Sequence, residues 1–362
     1  MLPIKTLQLG QSFKYALSLS SLMKLSFYPT DIHYKIIGGK AVIYMYGRTV
    51  DGQQICILDD SFRPYFMVLP KDLSIKDKIL QVKETKGHED VFVTDVELVK
   101  RKYLGQDRQF FKVYVNIPKG VPIIKQALQY WNEIANVFEF DILFARRYLL
   151  DKGITPMTLC TAEVEKVEQR LKVPAFKLLS IENSSEETFA KPRILAIDIE
   201  TYNPFGKEIV PEKNAVLMVA LSGEDFNRVI TWKEFETDKD YMQFVKSEPE
   251  LLEKLQKAIE EYKPDIITGY FSDAFDLPYL KIRAAKHQVQ LKLGLDYSEM
   301  RVSGKTRVES SMPGIVHVDM FKFIKRVVGK SLKTDSFSLE SVSRELLGEG
   351  KVGVDINLLA KA

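Results

Sequence analysis

In the run RILAIDIE, Asp198 and Glu200 are two residues apart, and the apolar Leu195, Ile197 and Ile199 alternate with them. That alternation is the signature of a half-buried strand, on which successive side chains point to opposite faces. Both carboxylates then stand on one face while the apolar three fill the other. Carboxylates held side by side repel, and a shared hard cation with oxygen ligands, Mg²⁺ or Mn²⁺, removes the conflict. A solvated acidic edge strand is the other reading, and this motif alone leaves the two evenly balanced. A second acidic cluster lies in TGYFSDAFDLPYL, where Asp273 and Asp276 fall at the change from a buried strand to a helix. Asp276 occupies the first helical turn, where the helix dipole favours a carboxylate. Strand ends in open α/β sheets are also where ligands collect. If the two strands are neighbours, Asp276 lies beside Asp198 and Glu200. Asp273 is read as a helix N-cap.

Three convergent carboxylates suit phosphodiester hydrolysis with two ions, one generating a hydroxide and the other neutralising the leaving 3′ oxygen. Nothing else in the chain competes. There is no phosphate-binding glycine loop, no GxSxG and no convincing Cys/His pair. The two cysteines, Cys56 and Cys160, are far apart and outside any metal spacing. His317 ends a β-like run in IVHVDMF and receives no role. Asp319, two residues on, is read as a structural hydrogen-bond acceptor.

The elements that must position these groups follow from pattern. The chain has 362 residues, 45% hydrophobic and 28% charged, which is enough for two cores and too mixed for disorder. A net charge of +3 neither demands nor excludes a polyanion, so any DNA surface must be a local patch. No apolar run approaches the roughly 20 residues that cross a bilayer, and a cytoplasmic protein is expected. Residues 1–30, interrupted by Lys14 and Lys24, read as an N-terminal extension. From 31 to 157 a small α+β domain is expected. Its text includes IIGGKAVIYMYGRTVDGQQICILDD, two strands turning at Asp51-Gly52, and FRPYFMVLP, a third. Ile124, Leu128, Trp131 and Ile134 then carry a helical period. Residues 158–190, polar and Glu/Ser-rich near IENSSEET, read as a connector.

From 191 to 362 the pattern becomes α/β. RILAIDIE, AVLMVALS and RVITW read as an antiparallel meander. SEPELLEKLQKAIEEY reads as a helix opened by Ser247 and Glu250 in a capping box. DIITGY is a further strand and DLPYLKIRAAKH a further helix, which together describe a ribonuclease-H-like layout.

At AIDIET, YFSDAFDLPYL, HVDMF and SFSLESVSRELLGEGK the chain resembles the exonuclease region of archaeal family B DNA polymerases. Upstream, DDSFRPYF, KRKYLG, IPKGVP and FDILFARRYLLDKGITPM resemble that family's N-terminal domain, so the likeness runs from about Asp31 to the end. It implies that Asp198, Glu200 and Asp276 are metal-binding catalytic carboxylates of a 3′→5′ proofreading nuclease using two Mg²⁺ or Mn²⁺ ions. It also implies a uracil-sensing pocket built by Tyr34, Pro64, Tyr65, Pro118, Val121, Phe144 and Arg147, with His33 and Leu143 replacing the usual acidic residue and proline.

The partners implied are DNA, as template and as a single-stranded 3′ end, the remaining polymerase portion as a second subunit or downstream half, and a sliding clamp through the full enzyme. Two departures bear on activity. Tyr270-Phe271-Ser272-Asp273 stands where the family has Tyr-Asn-Gly-Asp, and the family's third motif falls past Ala362, which implies weak turnover by this chain alone. Lys333-Thr334-Asp335-Ser336 lacks the context of the palm signature it echoes and reads as a turn before a helix. A free-standing nuclease and a non-catalytic module for single-stranded or uracil-containing DNA are the rival readings.

Overall fold

The computed structural model describes residues 22–87, 89–203, 209–304 and 306–350. The chain folds as two units. One runs to Gln169 and resumes over Pro174–Thr188, and the other comprises Arg170–Val173 and everything from Phe189 onward.

The first unit has two β layers of its own. Strands β1 (Met23–Ile37), β2 (Lys40–Thr49), β3 (Gln54–Asp59), β9 (Thr158–Val167) and β10 (Ala175–Thr188) close into a barrel in the order β1-β2-β3-β10-β9. Phe27, Ile43, Met45, Ile57, Cys160 and Phe176 fill it, all nearly or fully buried. Strands β4 (Tyr65–Pro70), β5 (Lys83–Lys86), β6 (Glu89–Tyr103), β7 (Gln106–Val115) and β8 (Ile134–Phe138) form an open sheet in the order β5-β6-β7-β4-β8. Alternation divides this sheet's faces. Phe111, Val113 and Val115 of β7 join a core with Ile79 of helix α1 (Lys76–Leu80) and Ile124 and Leu128 of α2 (Val121–Leu128), while Phe110 and Tyr114 pack with Tyr65 and Met67 on the other side. A further helix, α3 (Phe144–Lys152), contributes Phe144 and Tyr148 to the barrel core and ends at Gly153, whose φ of 63° only glycine adopts freely.

The expected α+β domain is present, with three differences. The strand reading begins too late, because Met23 already belongs to β1; residues 1–21 of the expected extension lie outside the described residues. The helix carrying Ile124 and Leu128 stops at Leu128, and Ile134 opens β8 paired with Pro70. Trp131 and Ile134 keep the helical spacing because both pack on the same core, Ile134 from a strand and Trp131 from the turn before it. The expected connector at 158–190 is mostly β9 and β10. Its polar text arises because only alternate residues, such as Cys160, Ala162 and Val164, face the barrel interior.

The second unit is an α/β sheet in the order β14-β13-β12-β11-β15-β18. Strands β11 (Ile194–Thr201), β12 (Val216–Gly223) and β13 (Phe226–Thr231) form the expected antiparallel meander, and β14 (Met242–Phe244) adds in parallel at the edge. Helix α4 (Glu248–Tyr262) starts where Ser247 accepts a bond from the Glu250 N–H, while the Glu250 carboxylate returns to the Lys246 N–H rather than to the cap itself. The chain then enters β15 (Ile266–Gly269), parallel to β11, and α5 (Asp276–Lys286). A short hairpin, β16 (Arg301–Ser303) and β17 (Glu309–Ser311), precedes β18 (Val316–Asp319), which pairs with β15 in parallel. The last described helices are α6 (Met320–Phe323) and α7 (Leu339–Leu347), with Lys333–Ser336 in the irregular stretch before α7. Among the described residues no helix is long and apolar enough to cross a membrane.

Candidate active site

The β11 ladder sets the site. Leu195, Ile197 and Ile199 are buried, and Asp198 and Glu200 are exposed on the opposite face, as the alternation required. Pairing with β15 ends at Ala196 opposite Thr268, so β11 continues past its neighbour and the ladder no longer serves the Ile199 N–H from that side. The Asp276 carboxylate takes over, accepting from the Ile199 N–H at 3.1 Å. Gly269 at the end of β15 makes this approach possible, since a β-carbon there would meet the Ile197 carbonyl oxygen at 2.9 Å. The loop from Tyr270 to Phe275 can therefore drop Asp276 against the strand that carries Asp198.

Electrostatics report the crowding. Asp276 is only 3% exposed, and burial first, then Asp198, with Asp319 adding to the effect, pushes its carboxyl up to about 6. A buried carboxyl facing another carboxylate is the arrangement a divalent cation neutralises, and the donors are the hard oxygens that Mg²⁺ and Mn²⁺ prefer. The donor chemistry thus fits. Among the described residues, however, no three His, Cys, Asp or Glu side chains are spaced as a ligand group. Asp198 and Asp276 are brought together, and Glu200 lies two residues on along the same face of β11.

Asp319 has the structural part expected of it. Its carboxylate accepts from the Phe271, Phe321 and Asp273 N–H groups at 3.0, 2.9 and 3.2 Å, tying the loop after β15 to the start of α6. Asp273 does not have the part expected. The cap position of α5 is Phe275 and no side chain caps it. Asp273 instead centres a buried ion cluster, accepting from the Ser310 N–H at 2.7 Å and Lys322 Nζ at 2.5 Å, with His317 Nδ1 at 3.2 Å. Sequence reading missed it because its partners come from β17, β18 and α6, far along the chain. His317 also exchanges a hydrogen bond with Ser272 Oγ at 3.0 Å, and burial outweighs the nearby carboxylates in holding its pKa down.

The seven residues of the implied uracil pocket fall into separate groups in the first unit. Tyr34 meets Phe144 edge-on, with ring centroids 5.1 Å apart. Arg147 lies over the Tyr65 ring at 4.7 Å, and its guanidinium pairs with Glu139. Burial raises the Tyr65 hydroxyl's pKa well above the usual range, and its hydrogen bond to Asp151 adds to that. Pro64 accepts from the Val115 N–H at 2.9 Å. Val121, one turn after Pro118, is buried with Val91, Val115 and Ile117 in the core of the open sheet, whereas Phe144 belongs to the barrel core. Leu143 is 77% exposed, and His33 stacks on Tyr44 and Tyr46.

The model of the DNA polymerase family B exonuclease domain matches residues 135–342. DNA polymerase 1 of Pyrococcus abyssi is 33% identical over 335 residues, covering 92% of this chain and 38% of that protein. The DNA polymerase of Methanocaldococcus jannaschii is 33% identical over 328 residues, covering 90% of this chain and 18% of its own length. The structure of the family B DNA polymerase from the hyperthermophilic archaeon Pyrobaculum calidifontis aligns with a TM-score of 0.73 at 26% identity, over 88% of this chain and 39% of that one. The chain thus spans less than two-fifths of each of these two relatives. With the family match extending over more than half its residues and containing every carboxylate of the candidate site, the chain belongs to DNA polymerase family B and carries the exonuclease domain of that family.

Proposed function

We propose that this chain is the N-terminal and 3′→5′ exonuclease portion of a cytoplasmic DNA-directed DNA polymerase. It hydrolyses phosphodiester bonds at a single-stranded 3′ end through Asp198, Glu200 and Asp276. The observation that carries the reading is the Asp276 carboxylate, anchored on the Ile199 N–H and pushed up to about 6 by burial and by Asp198. Two bound Mg²⁺ or Mn²⁺ ions would supply the activated water and the charge that stabilises the leaving oxygen. The protein's own work is positional. Asp319 fixes the 271–273 backbone, that backbone delivers Asp276 to the neighbourhood of Asp198, and Glu200 follows two residues on along the same face of β11. The partners of this reading are template DNA, the primer's unpaired end, the rest of the polymerase and, through the full enzyme, a sliding clamp.

The test is shortening of a 5′-labelled single-stranded oligonucleotide with Mn²⁺ or Mg²⁺. Shortening that EDTA stops, and that Asp198→Asn with Asp276→Asn abolishes, supports the reading. Metal-independent shortening, or shortening that survives the double substitution, overturns it. Tight binding without any cleavage would make the chain a DNA-binding module.

The same reading extends to uracil recognition in the first unit. The Tyr34–Phe144 contact and the Arg147–Tyr65 stack support it, because flat apolar walls beside fixed polar groups suit a flipped pyrimidine. A titration at fixed salt should show uracil-containing single strands binding more tightly than the thymine equivalents. Equal affinities would overturn that part alone.

A further inference from the structure

The hairpin of β6 and β7 outruns its sheet. Strand β4 pairs with β7 only from Phe111 to Tyr114, and β5 pairs with β6 only from Glu89 to Phe92. Among the described strands, β6 and β7 beyond Val99 and Phe110 therefore pair only with each other, and every residue from Lys100 to Gln109 except Tyr103 is exposed. The ribbon is nonetheless braced at both ends. Tyr103 meets Phe110 and Phe138 at ring-centroid distances of 6.2 and 5.3 Å. The strands join through Leu104 and Gly105, whose φ values of 49° and 78° belong to the tight turn that matches a hairpin's twist.

Its charges work against it. Lys100, Arg101, Lys102 and Arg108 lie in this stretch against a single carboxylate, Asp107, which opposes Lys102. Arg101 stands directly opposite Arg108 in the ladder, so two guanidinium groups share one face of the ribbon while Lys100 and Lys102 share the other. Like charges directly opposite one another destabilise a ladder. Among the described residues none of the four cations has an ion-pair partner. Charge on an open edge does discourage the addition of another strand, but opposed arginines add repulsion within the ribbon that this purpose does not need.

The arrangement names its ligand. Two facing guanidinium groups are relieved by an anion that can accept from both, and phosphate oxygens match the fork of each. Cations on both faces of a braced ribbon call for anions on two sides, held apart by a rigid frame. The major groove of duplex DNA, about 12 Å wide, admits a two-stranded ribbon between two walls of phosphates. A flexible single strand offers one wall only.

We propose that the β6–β7 ribbon is an arm for duplex DNA, lying in the groove with Arg101 and Arg108 on the phosphates of one wall and Lys100 and Lys102 on those of the other. The arm draws nothing from the carboxylates of the second unit, so it stands or falls apart from the nuclease reading.

The experiment measures binding of the whole chain to a blunt-ended duplex across a salt series, with EDTA present so that nothing is cleaved. Affinity should fall steeply as salt rises. Arg101→Gln with Arg108→Gln should weaken binding about tenfold at moderate salt and reduce the slope of log affinity against log salt by about 2, since each phosphate contact contributes about 0.9. The melting temperature of that variant should not fall, because a repulsion has been removed. Arg101→Lys with Arg108→Lys should keep the slope of the unsubstituted chain. An unchanged slope in the glutamine variant would overturn the arm, and self-association of that variant with its slope intact would make the arginines guards of an open edge. No binding of the duplex by the unsubstituted chain at low salt would overturn it as well. A single strand bound more tightly than the duplex, with the same dependence on the two arginines, would overturn the duplex assignment. Loss of binding to vesicles containing phosphatidylserine in the glutamine variant, with duplex binding unchanged, would make the ribbon a membrane contact instead.

Discussion

Burial and the nearby Asp198 raise the Asp276 carboxyl from its usual 3.8 to about 6, so its charged form is disfavoured in the fold by about 3 kcal/mol at neutral pH. The sign follows from linkage. A raised folded-state pKa contributes stability that is complete below the unfolded value and lost as pH rises through 6. In metal-free buffer, Asp276→Asn should therefore raise stability at pH 7 and flatten the loss between pH 4 and pH 7, as urea denaturation at several pH values would read. An unchanged pH profile would refute the crowding. Val121 shows the opposite case. It is buried in the core that also holds Val91, Val115 and Ile117, so Val121→Gln places an amide in an apolar core and should cost about 1–3 kcal/mol. Any effect of that substitution on uracil binding has to be read beside its melting temperature. The carboxylates on β11 were legible in the sequence because strand alternation is a local rule. The Asp273 cluster was not, since Ser310, His317 and Lys322 lie 37 to 49 positions further along the chain.

At the scale of elements, the joint between α4 and α5 centres on the Glu248 carboxylate. Glu248, in the first turn of α4, accepts from Arg283 Nε at 2.7 Å and from the Val216 N–H at 2.9 Å, and its other oxygen faces His287 Nε2 at 2.7 Å. Arg283 also donates to the Pro211 carbonyl at 3.0 Å, so α4, α5, β12 and the 209–216 loop meet at one carboxylate. Burial alone would raise the Glu248 carboxyl, but the Arg283 bond and the Val216 N–H outweigh it and hold it below the usual range. Its contribution is therefore present at neutral pH and lost on acidification, opposite in sign to that of Asp276. Glu248→Ala should cost about 3–5 kcal/mol because it strands a buried guanidinium. Ser247→Ala, one residue earlier, should cost only about 1 kcal/mol for the lost cap. Comparable losses in the two variants, by urea midpoint, would refute the joint. The cap was readable from Ser247 and Glu250 in sequence. The joint was not, because nothing local marks Arg283 as buried.

The division of the whole molecule into two units was only half legible, and the reason lies in the barrel. A polar, Glu/Ser-rich tract after Asp151 looks like a linker, yet β9 and β10 within it have one face toward the barrel core and the other toward solvent. Their outward residues supply the linker-like composition, while Cys160, Ala162, Val164, Phe176 and Leu178 are buried inside. The chain even leaves the first unit over Arg170–Val173 and returns to it at Pro174. A fragment spanning 22–157 would follow the boundary read from composition, and one spanning 22–188 follows the barrel. Without β9 and β10 the barrel opens, β1 loses its partner over Met23–Phe27, and β3 loses its parallel pairing with Ala175–Lys177. Removing Phe176 and Leu178 uncovers barrel-core residues of their cluster such as Ile43, Met45 and Ile57, at about 2–3 kcal/mol for each side chain left exposed, and the open strand edges invite association. Against a typical net stability of about 5–15 kcal/mol, that loss is decisive. The 22–188 fragment should therefore unfold cooperatively in urea as a monomer, and the 22–157 fragment should show no cooperative transition or should aggregate. A cooperative, monomeric 22–157 fragment would mean that the open sheet, with Phe111, Val113 and Leu128 in its core, carries the first unit's stability by itself and that the barrel closes around an already folded body.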